Sequence, residues 1–288
     1  DLSLYENHRF NILAGHSYQH FRTYSYGFSE KGFRSDDVDY LNNLALGDYT
    51  SAIVKSNITI NELQSFYGRL NYNFNDRYLF TGTLRADGST KFGDNNKYGY
   101  FPSASFAWRL AEEEFIKKLN VFSNLKFRMG WGITGNQEIP NKISQASLGT
   151  TGNSGAILDG SKGNVTPGIT LTRTPNPNLK WESTNEFNLG LDFAFLDGRL
   201  SGSLDLFKKA TKDVLLQVYS IAPAPTTTVW SNVPDMRIIN KGIELELNGV
   251  IIDSKDIKWN AGFNFSKINN KVEDLPMSKI TTGSPSGP

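Results

Sequence analysis

The sequence predicts an all-β protein whose antiparallel sheet belongs to a transmembrane β-barrel. Three observations predict it. Apolar and polar residues alternate with period two in one segment after another, the mark of a strand with one greasy and one wet face. The connections between these segments alternate between short and long, as they do when periplasmic turns and extracellular loops sort to opposite ends of an outer-membrane barrel. No run of eighteen or more apolar residues exists, so no helix is available to cross a bilayer.

Strands are expected at about 8–22, 62–75, 76–90, 97–110, 122–135, 181–195, 199–218, 237–252 and 256–269. In 62–75, Leu70, Tyr72 and Phe74 alternate with Arg69, Asn71 and Asn73, and after Asn75-Asp76 the pattern resumes with Tyr78, Phe80, Leu84 and Ala86 against Arg77, Thr81, Thr83 and Arg85. Strand 122–135 sets Leu125, Phe127, Met129, Trp131 and Ile133 against Lys126, Arg128, Gly130, Gly132 and Thr134. Strand 181–195 sets Phe187, Leu189, Leu191 and Phe193 against Glu186, Asn188, Gly190 and Asp192. In 237–252, Ile243, Leu245 and Leu247 oppose Glu244, Glu246 and Asn248. Strand 256–269 closes with Ile257, Trp259, Ala261, Phe263 and Phe265 against Lys258, Asn260, Gly262 and Asn264.

The connections follow in the same order. Segment 23–61 is long, Asn75-Asp76 is tight, and 87–96 is a polar loop. The 111–121 connector carries Ala111–Lys118, enough for one helical turn. The 136–180 segment is long and rich in Gly, Ser, Thr, Asn and Pro, Asp197-Gly198 is a favoured hairpin dipeptide, 219–236 is long, and Asp253–Asp256 is short. A soluble sandwich has no reason to sort loop lengths by end, so this parity favours a membrane over a soluble amphipathic sheet. Tyr72, Phe74, Tyr78 and Trp108 fall near the short-turn end and Tyr98 and Tyr100 near the other, levels that suit rings with one apolar and one hydrogen-bonding edge.

Composition excludes several functions. A net charge of +1 argues against a nucleic-acid partner, which calls for a clustered basic surface. With no cysteine there is no disulfide, thiolate metal site or thiol nucleophile. Gly130-Trp131-Gly132-Ile133-Thr134-Gly135 has the G-x-G-x-x-G spacing, but loop residues Asn136–Pro140 follow where a dinucleotide site needs a helix. His8, His16 and His20 are the only histidines, too few ligands for a catalytic zinc. Glu182/Glu186 and Glu244/Glu246 share wet faces, and carboxylates two residues apart on a strand lie about 6–7 Å apart, within glycosidase range. Acidic residues on a wetted face are nevertheless the default reading, so no catalytic, cofactor-binding or metal residue is assigned. Residues 223–228 and 149–155 read as solvated loop tips. The N-terminus carries no signal-peptide pattern.

Several strings go beyond patterning. Phe66-Tyr67-Gly68-Arg69-Leu70-Asn71-Tyr72, Asp76-Arg77-Tyr78-Leu79-Phe80, Leu84-Arg85-Ala86-Asp87-Gly88-Ser89, Tyr100-Phe101-Pro102-Ser103, Ala107-Trp108-Arg109-Leu110 and Gly130–Gln137 stand in order along the chain. Asn176-Pro177-Asn178-Leu179-Lys180-Trp181-Glu182, Asn188–Asp192 and Asn240-Lys241-Gly242-Ile243-Glu244 follow. Together they resemble the SusC-like (SusC/RagA) branch of TonB-dependent outer-membrane transporters of Bacteroidota, over roughly residues 60–270.

The resemblance implies a barrel of about 22 strands with an N-terminal plug, energised through TonB in the outer membrane of a Gram-negative bacterium. It implies pairing with a SusD-like surface lipoprotein and a glycan or peptide cargo. The whole chain, 1–288, is then expected to be a plugless part of such a barrel, with long extracellular loops near 23–61, 136–180 and 219–236 and a final loop over 274–288. Open edges should keep such a span from inserting alone. No cofactor and no enzymatic role are expected. Arg69, Arg85, Arg128, Glu186, Glu244 and Asn264 are the candidates for hydrating and guiding polar cargo, although the substrate-contacting set is unknown from sequence. The alternatives are a passive porin or adhesin barrel, and a β-rich hydrolase.

Overall fold

Alternation of side chains lets each segment satisfy its backbone laterally while presenting two chemically distinct faces, and the computed structural model lays them side by side in chain order. It describes residues 2–3, 7–37, 39, 42–150, 166, 168–221 and 223–275. The elements are β1 (Leu2–Ser3), β2 (His8–Lys31), β3 (Asp48–Phe74), β4 (Tyr78–Ser89), β5 (Tyr98–Arg109), α1 (Glu114–Lys117), β6 (Phe122–Asn136), β7 (Ser147–Thr150) and β8 (Ile169–Arg173). They continue with β9 (Glu182–Phe195), β10 (Leu200–Lys212), β11 (Leu215–Tyr219), β12 (Thr228–Asn232), β13 (Arg237–Asp253) and β14 (Lys258–Glu273). One sheet of ten strands runs β1-β2-β3-β4-β5-β6-β9-β10-β13-β14, and β7-β8 and β11-β12 form separate two-stranded hairpins. Every pairing is antiparallel.

The register aligns the greasy residues into rows across the sheet. One row reads His8, Phe74, Tyr78, Trp108, Phe127, Leu191, Leu204, Leu245 and Phe265. The next reads Phe10, Tyr72, Phe80, Phe106, Met129, Leu189, Leu206 and Ile243. Ring pairs run along them, with Phe10–Tyr72 and Phe80–Phe106 centroids each 4.7 Å apart. None of the described residues covers these rows: Phe80, Met129, Leu206 and Phe265 remain between 41% and 47% exposed. An apolar face this broad, left uncovered by the described residues, is what a lipid-facing barrel wall presents. Among the described residues, the buried apolar clusters lie instead at the long-loop end.

Two short connections use left-handed backbone. Asn75 and Asp76 have φ of 54° and 55°, and Arg77 N–H donates to the Phe74 carbonyl at 3.0 Å, closing a primed turn that follows the twist of the hairpin. The expected turn at Asp197-Gly198 is shifted. Leu196 and Asp197 occupy its centre at φ 53° and 56°, with Gly198 at 87° and Gly198 N–H donating to the Phe195 carbonyl at 3.1 Å.

The expected loop over 23–61 requires correction. β2 runs on to Lys31 and β3 starts at Asp48, so most of that segment is ladder and the connection is confined to 32–47. Beyond Leu63, β3 pairs with β2 alone, and this ribbon projects past the sheet. Its alternating Tyr24, Tyr26 and Phe28 give it the same period-two signal as the rest, and the polar, irregular run that follows from Gly32 obscured it. The expected strand 199–218 is also divided. β10 stops at Lys212, and Asp213, at φ 56°, turns the chain into the β11-β12 hairpin. Parts of the 136–180 segment and of the 149–155 and 274–288 loops lie outside the described residues.

Candidate functional site

The second face of the sheet is polar, and its residues also align in rungs. One rung reads Arg69, Thr83, Ser103, Gly132, Glu186, Lys209, Asn240 and Asn270. Another reads Arg128, Gly190, Asp205, Glu244 and Ser266, and a third Lys126, Asp192, Ser203, Glu246 and Asn264. The six candidate residues Arg69, Arg85, Arg128, Glu186, Glu244 and Asn264 therefore share one face, spread over several rungs rather than converging on a point.

Charge on this face is largely paired. Arg128 forms a two-pronged contact to Asp192, Nε to Oδ2 at 2.9 Å and Nη2 to Oδ1 at 2.8 Å, and reaches Asp205 Oδ2 at 3.0 Å. Planar guanidinium suits such bidentate recognition. The fork needs room: a Cβ on Gly190, between the two acids, would lie 2.6 Å from the Arg128 guanidinium carbon. Arg85 Nε donates to both Asp87 oxygens at 2.8 Å, its Nη2 donates to the buried Ser65 hydroxyl at 2.9 Å, and its guanidinium lies 5.7 Å from the Tyr67 ring centre. Lys209 pairs with Glu186 at 3.3 Å. Between these charges, Thr81, Ser103, Ser105, Gly130, Gly132 and Asn188 line a shallow small-residue concavity of about 260 Å³.

At the long-loop end the wall carries a cap that composition did not foretell. Phe92, Phe101, Ile139, Ile143, Leu179, Trp181 and Leu215 form a buried apolar cluster, with Leu179 fully buried. The stretch Asn176–Trp181 stitches it together through its backbone. Gly93 N–H donates to the Leu179 carbonyl at 2.9 Å, Asn95 N–H to the Pro177 carbonyl at 3.2 Å, and Asn176 N–H to the Ser144 carbonyl at 2.9 Å. Asn176 Nδ2 donates to the Trp230 carbonyl at 2.8 Å, Asn232 Nδ2 to the Lys180 carbonyl at 2.8 Å, and Trp181 Nε1 to the Lys97 carbonyl at 2.9 Å. A Cβ on Gly93 would sit 2.1 Å from the Pro177 oxygen. Segments 90–97, 139–145 and the β11-β12 hairpin are thus tied to one strip of chain. The apolar residues Ile139, Ile143, Leu179 and Trp181 were the available signal, diluted among loop-forming neighbours.

At the opposite end, α1 and the preceding turn hold an acid against the aromatic row. Tyr78 Oη donates to Glu113 Oε1 at 2.7 Å, Trp108 Nε1 donates to the same oxygen at 3.1 Å, and Arg77 lies 3.5 Å away. The Tyr78 hydrogen bond, then that of Trp108, holds the Glu113 carboxyl below the ordinary carboxylate range.

The other motifs dissolve into the sheet. Gly130 and Gly132 are mid-strand, and Glu182 accepts from Asn136 and the Leu215 amide. His8 contacts the Tyr72 hydroxyl at 2.8 Å, His16 the Gln64 amide at 3.2 Å and His20 the Glu62 carboxylate at 3.1 Å, each in a different row. Among the described residues no three His, Asp or Glu gather as metal ligands.

Comparison with known proteins accounts for this wall. Residues 2–285 match the family described as TonB dependent receptor-like, beta-barrel. The chain is 35% identical over 269 residues to TonB-dependent receptor P3 of Formosa agariphila, covering 93% of this chain and 26% of that relative. It is 34% identical over 267 residues to TonB-dependent receptor SusC of Bacteroides thetaiotaomicron, covering 92% and 26%. The solved RagAB peptide transporter superposes with a TM-score of 0.80 at 28% identity, covering 96% of this chain and 30% of that one. The chain spans about a quarter of the length of these curated relatives. The uncovered greasy rows and the polar rungs behind them are the two faces of a transmembrane barrel wall, and this chain belongs to the TonB-dependent receptor β-barrel family.

Proposed function

We propose that this segment forms part of the wall and extracellular cap of an active importer in the outer membrane of a Gram-negative bacterium. It takes up oligosaccharides or other bulky polar nutrients, with energy delivered through TonB and a SusD-like lipoprotein as lid. The observation that carries the reading is the pairing of an uncovered apolar face with a polar face on which acids and bases are interspersed and several are ion-paired. Lipid covers the first, and water and cargo wet the second. Matched charges such as Arg128 with Asp192 and Asp205 leave the wall hydrated without a strong single-sign field, which suits neutral or zwitterionic cargo.

No bond is made or broken by this wall, and it is assigned no enzymatic role. Arg69, Glu186, Lys209, Asn240 and Asn264 offer exchangeable hydrogen bonds along the path. The long-loop end, with the described parts of 32–47, 136–180 and 219–236, faces outward and the tight turns face the periplasm. Nothing in the geometry favours a passive pore or adhesin.

Uptake of a labelled oligosaccharide by cells carrying the full-length protein tests this. Uptake should vanish on deletion of the gene or of the lipoprotein gene beside it, and on collapse of the proton-motive force. Uptake that survives collapse of that force would establish a passive porin instead.

A further inference from the structure

The greasy face of β2 to β5 has an upper limit. From His8 to His16 the β2 rows span about 27 Å along the strand, or about 20 Å once tilted as barrel strands are, close to the apolar band of an outer-membrane barrel. Directly above, on the same outward face by register, the residues change character. Tyr98 Oη donates to Gln64 Oε1 at 2.8 Å, and Gln64 Nε2 lies 3.2 Å from His16 Nε2. Glu62 takes His20 at 3.1 Å. The Tyr98 ring lies across Gly88, where a Cβ would meet it at 2.6 Å, and Tyr18 and Tyr98 are 57% and 46% exposed. They flank a hollow of about 140 Å³ with Glu62, Gln64 and Lys97.

Resting on the membrane-wall reading above, we propose that this collar binds the sugar headgroup of an outer-leaflet glycolipid. Its place, one row above the lipid-facing band, selects a lipid over a soluble ligand. Its chemistry selects a sugar over a bare phosphate. Tyrosine faces pack on the C–H face of a pyranose. The Gln64 amide and Glu62 carboxylate, though engaged on one side by Tyr98, His16 and His20, keep capacity for sugar hydroxyls, and the one cation lining the hollow, Lys97, is paired with Asp94 at 2.7 Å. Gly88 has no side chain so that Tyr98 can lie flat.

The test uses the purified full-length transporter and native mass spectrometry with three probes: rough lipopolysaccharide bearing core sugars, phosphatidylglycerol, and the free core oligosaccharide. Wild type should retain the lipopolysaccharide at least tenfold over phosphatidylglycerol, and Tyr18→Ala/Tyr98→Ala should lose that preference while keeping the heat-shifted gel mobility of a closed barrel. Where the double variant fails to fold, Gln64→Ala should lower retention several-fold. Equal retention of phosphatidylglycerol, retention unchanged in the variants, or equally strong capture of the free saccharide would overturn the proposal. Nutrient uptake is read separately in cells, so failure of the transport reading leaves the lipid measurement intact.

Discussion

The two ends of this wall are built by different physics. At the short-turn end, order comes from strand pairing itself: rings stack along rows, turns close in a few residues, and Glu113 pins Tyr78 and Trp108 by their polar tips. At the long-loop end the ladder runs out, and a small buried core tied by main-chain carbonyls takes over. The first end is held in register by its sheet neighbours, whereas the second adds a core of loop residues gathered around Phe101 of β5. The cap should therefore behave as a unit of stability mounted on the barrel, so that either end can fail without the other.

Substitutions in the full-length protein break or sharpen that contrast. The largest effect is expected at the cap. Leu179→Ala empties a fully buried site at a cost of about 3 kcal/mol, so limited proteolysis should cut the loops faster while the barrel keeps its heat-shifted mobility. Unchanged cleavage would mean that the cap has no independent cohesion. Next comes the wall: Arg128→Met leaves Asp192 and Asp205 facing one another. Because the guanidinium is about a third exposed, screening by water limits the loss to about 1–2 kcal/mol, read as a lower urea midpoint with no change in loop cleavage.

A smaller effect falls on the turn. Asn75→Ala places an alanine at φ 54°, costing about 1 kcal/mol, and Asn75→Gly should restore wild-type stability. A deficit in both variants would assign the side chain, not the backbone, to the turn. The smallest effect is visible only against pH. The folded-state pKa of Glu113 is lowered, so its contribution is complete above the ordinary glutamate value and is lost as pH falls through the lowered one. Wild-type thermal stability should drop across that acidic window more steeply than Glu113→Gln, and parallel profiles would show that the clasp is inert.

Legibility in the sequence follows the same division. Period-two alternation in 62–90 and 122–135 is a local signal, so the main strands, their facing and the two-sided wall could be read directly. The rungs that bring Arg128 beside Asp192 and Asp205 depend on register across three strands, which no single strand encodes. The cap escaped because Ile139, Ile143, Leu179 and Trp181 meet only after distant loops converge, and because Asn, Pro and Gly around them mimic free loop. The β2-β3 ribbon escaped for the opposite reason. Its alternation is present at Tyr24, Tyr26 and Phe28, but the polar run from Gly32 onward made the whole segment read as loop. The SusC-like strings supplied the family and, through it, the expectation of a partner and a cargo, neither of which the residues specify alone.

Asn176–Trp181 has one further bearing, on habitat. Apart from the Lys180–Asp213 ion pair, its ties to the 90–97 and 139–145 segments and to β12 are main-chain and amide hydrogen bonds, and Debye screening, which erodes exposed ion pairs, leaves such bonds almost untouched. A surface structure fastened in this way keeps its shape from dilute to briny surroundings, where one fastened by opposite charges would loosen as the salt rose.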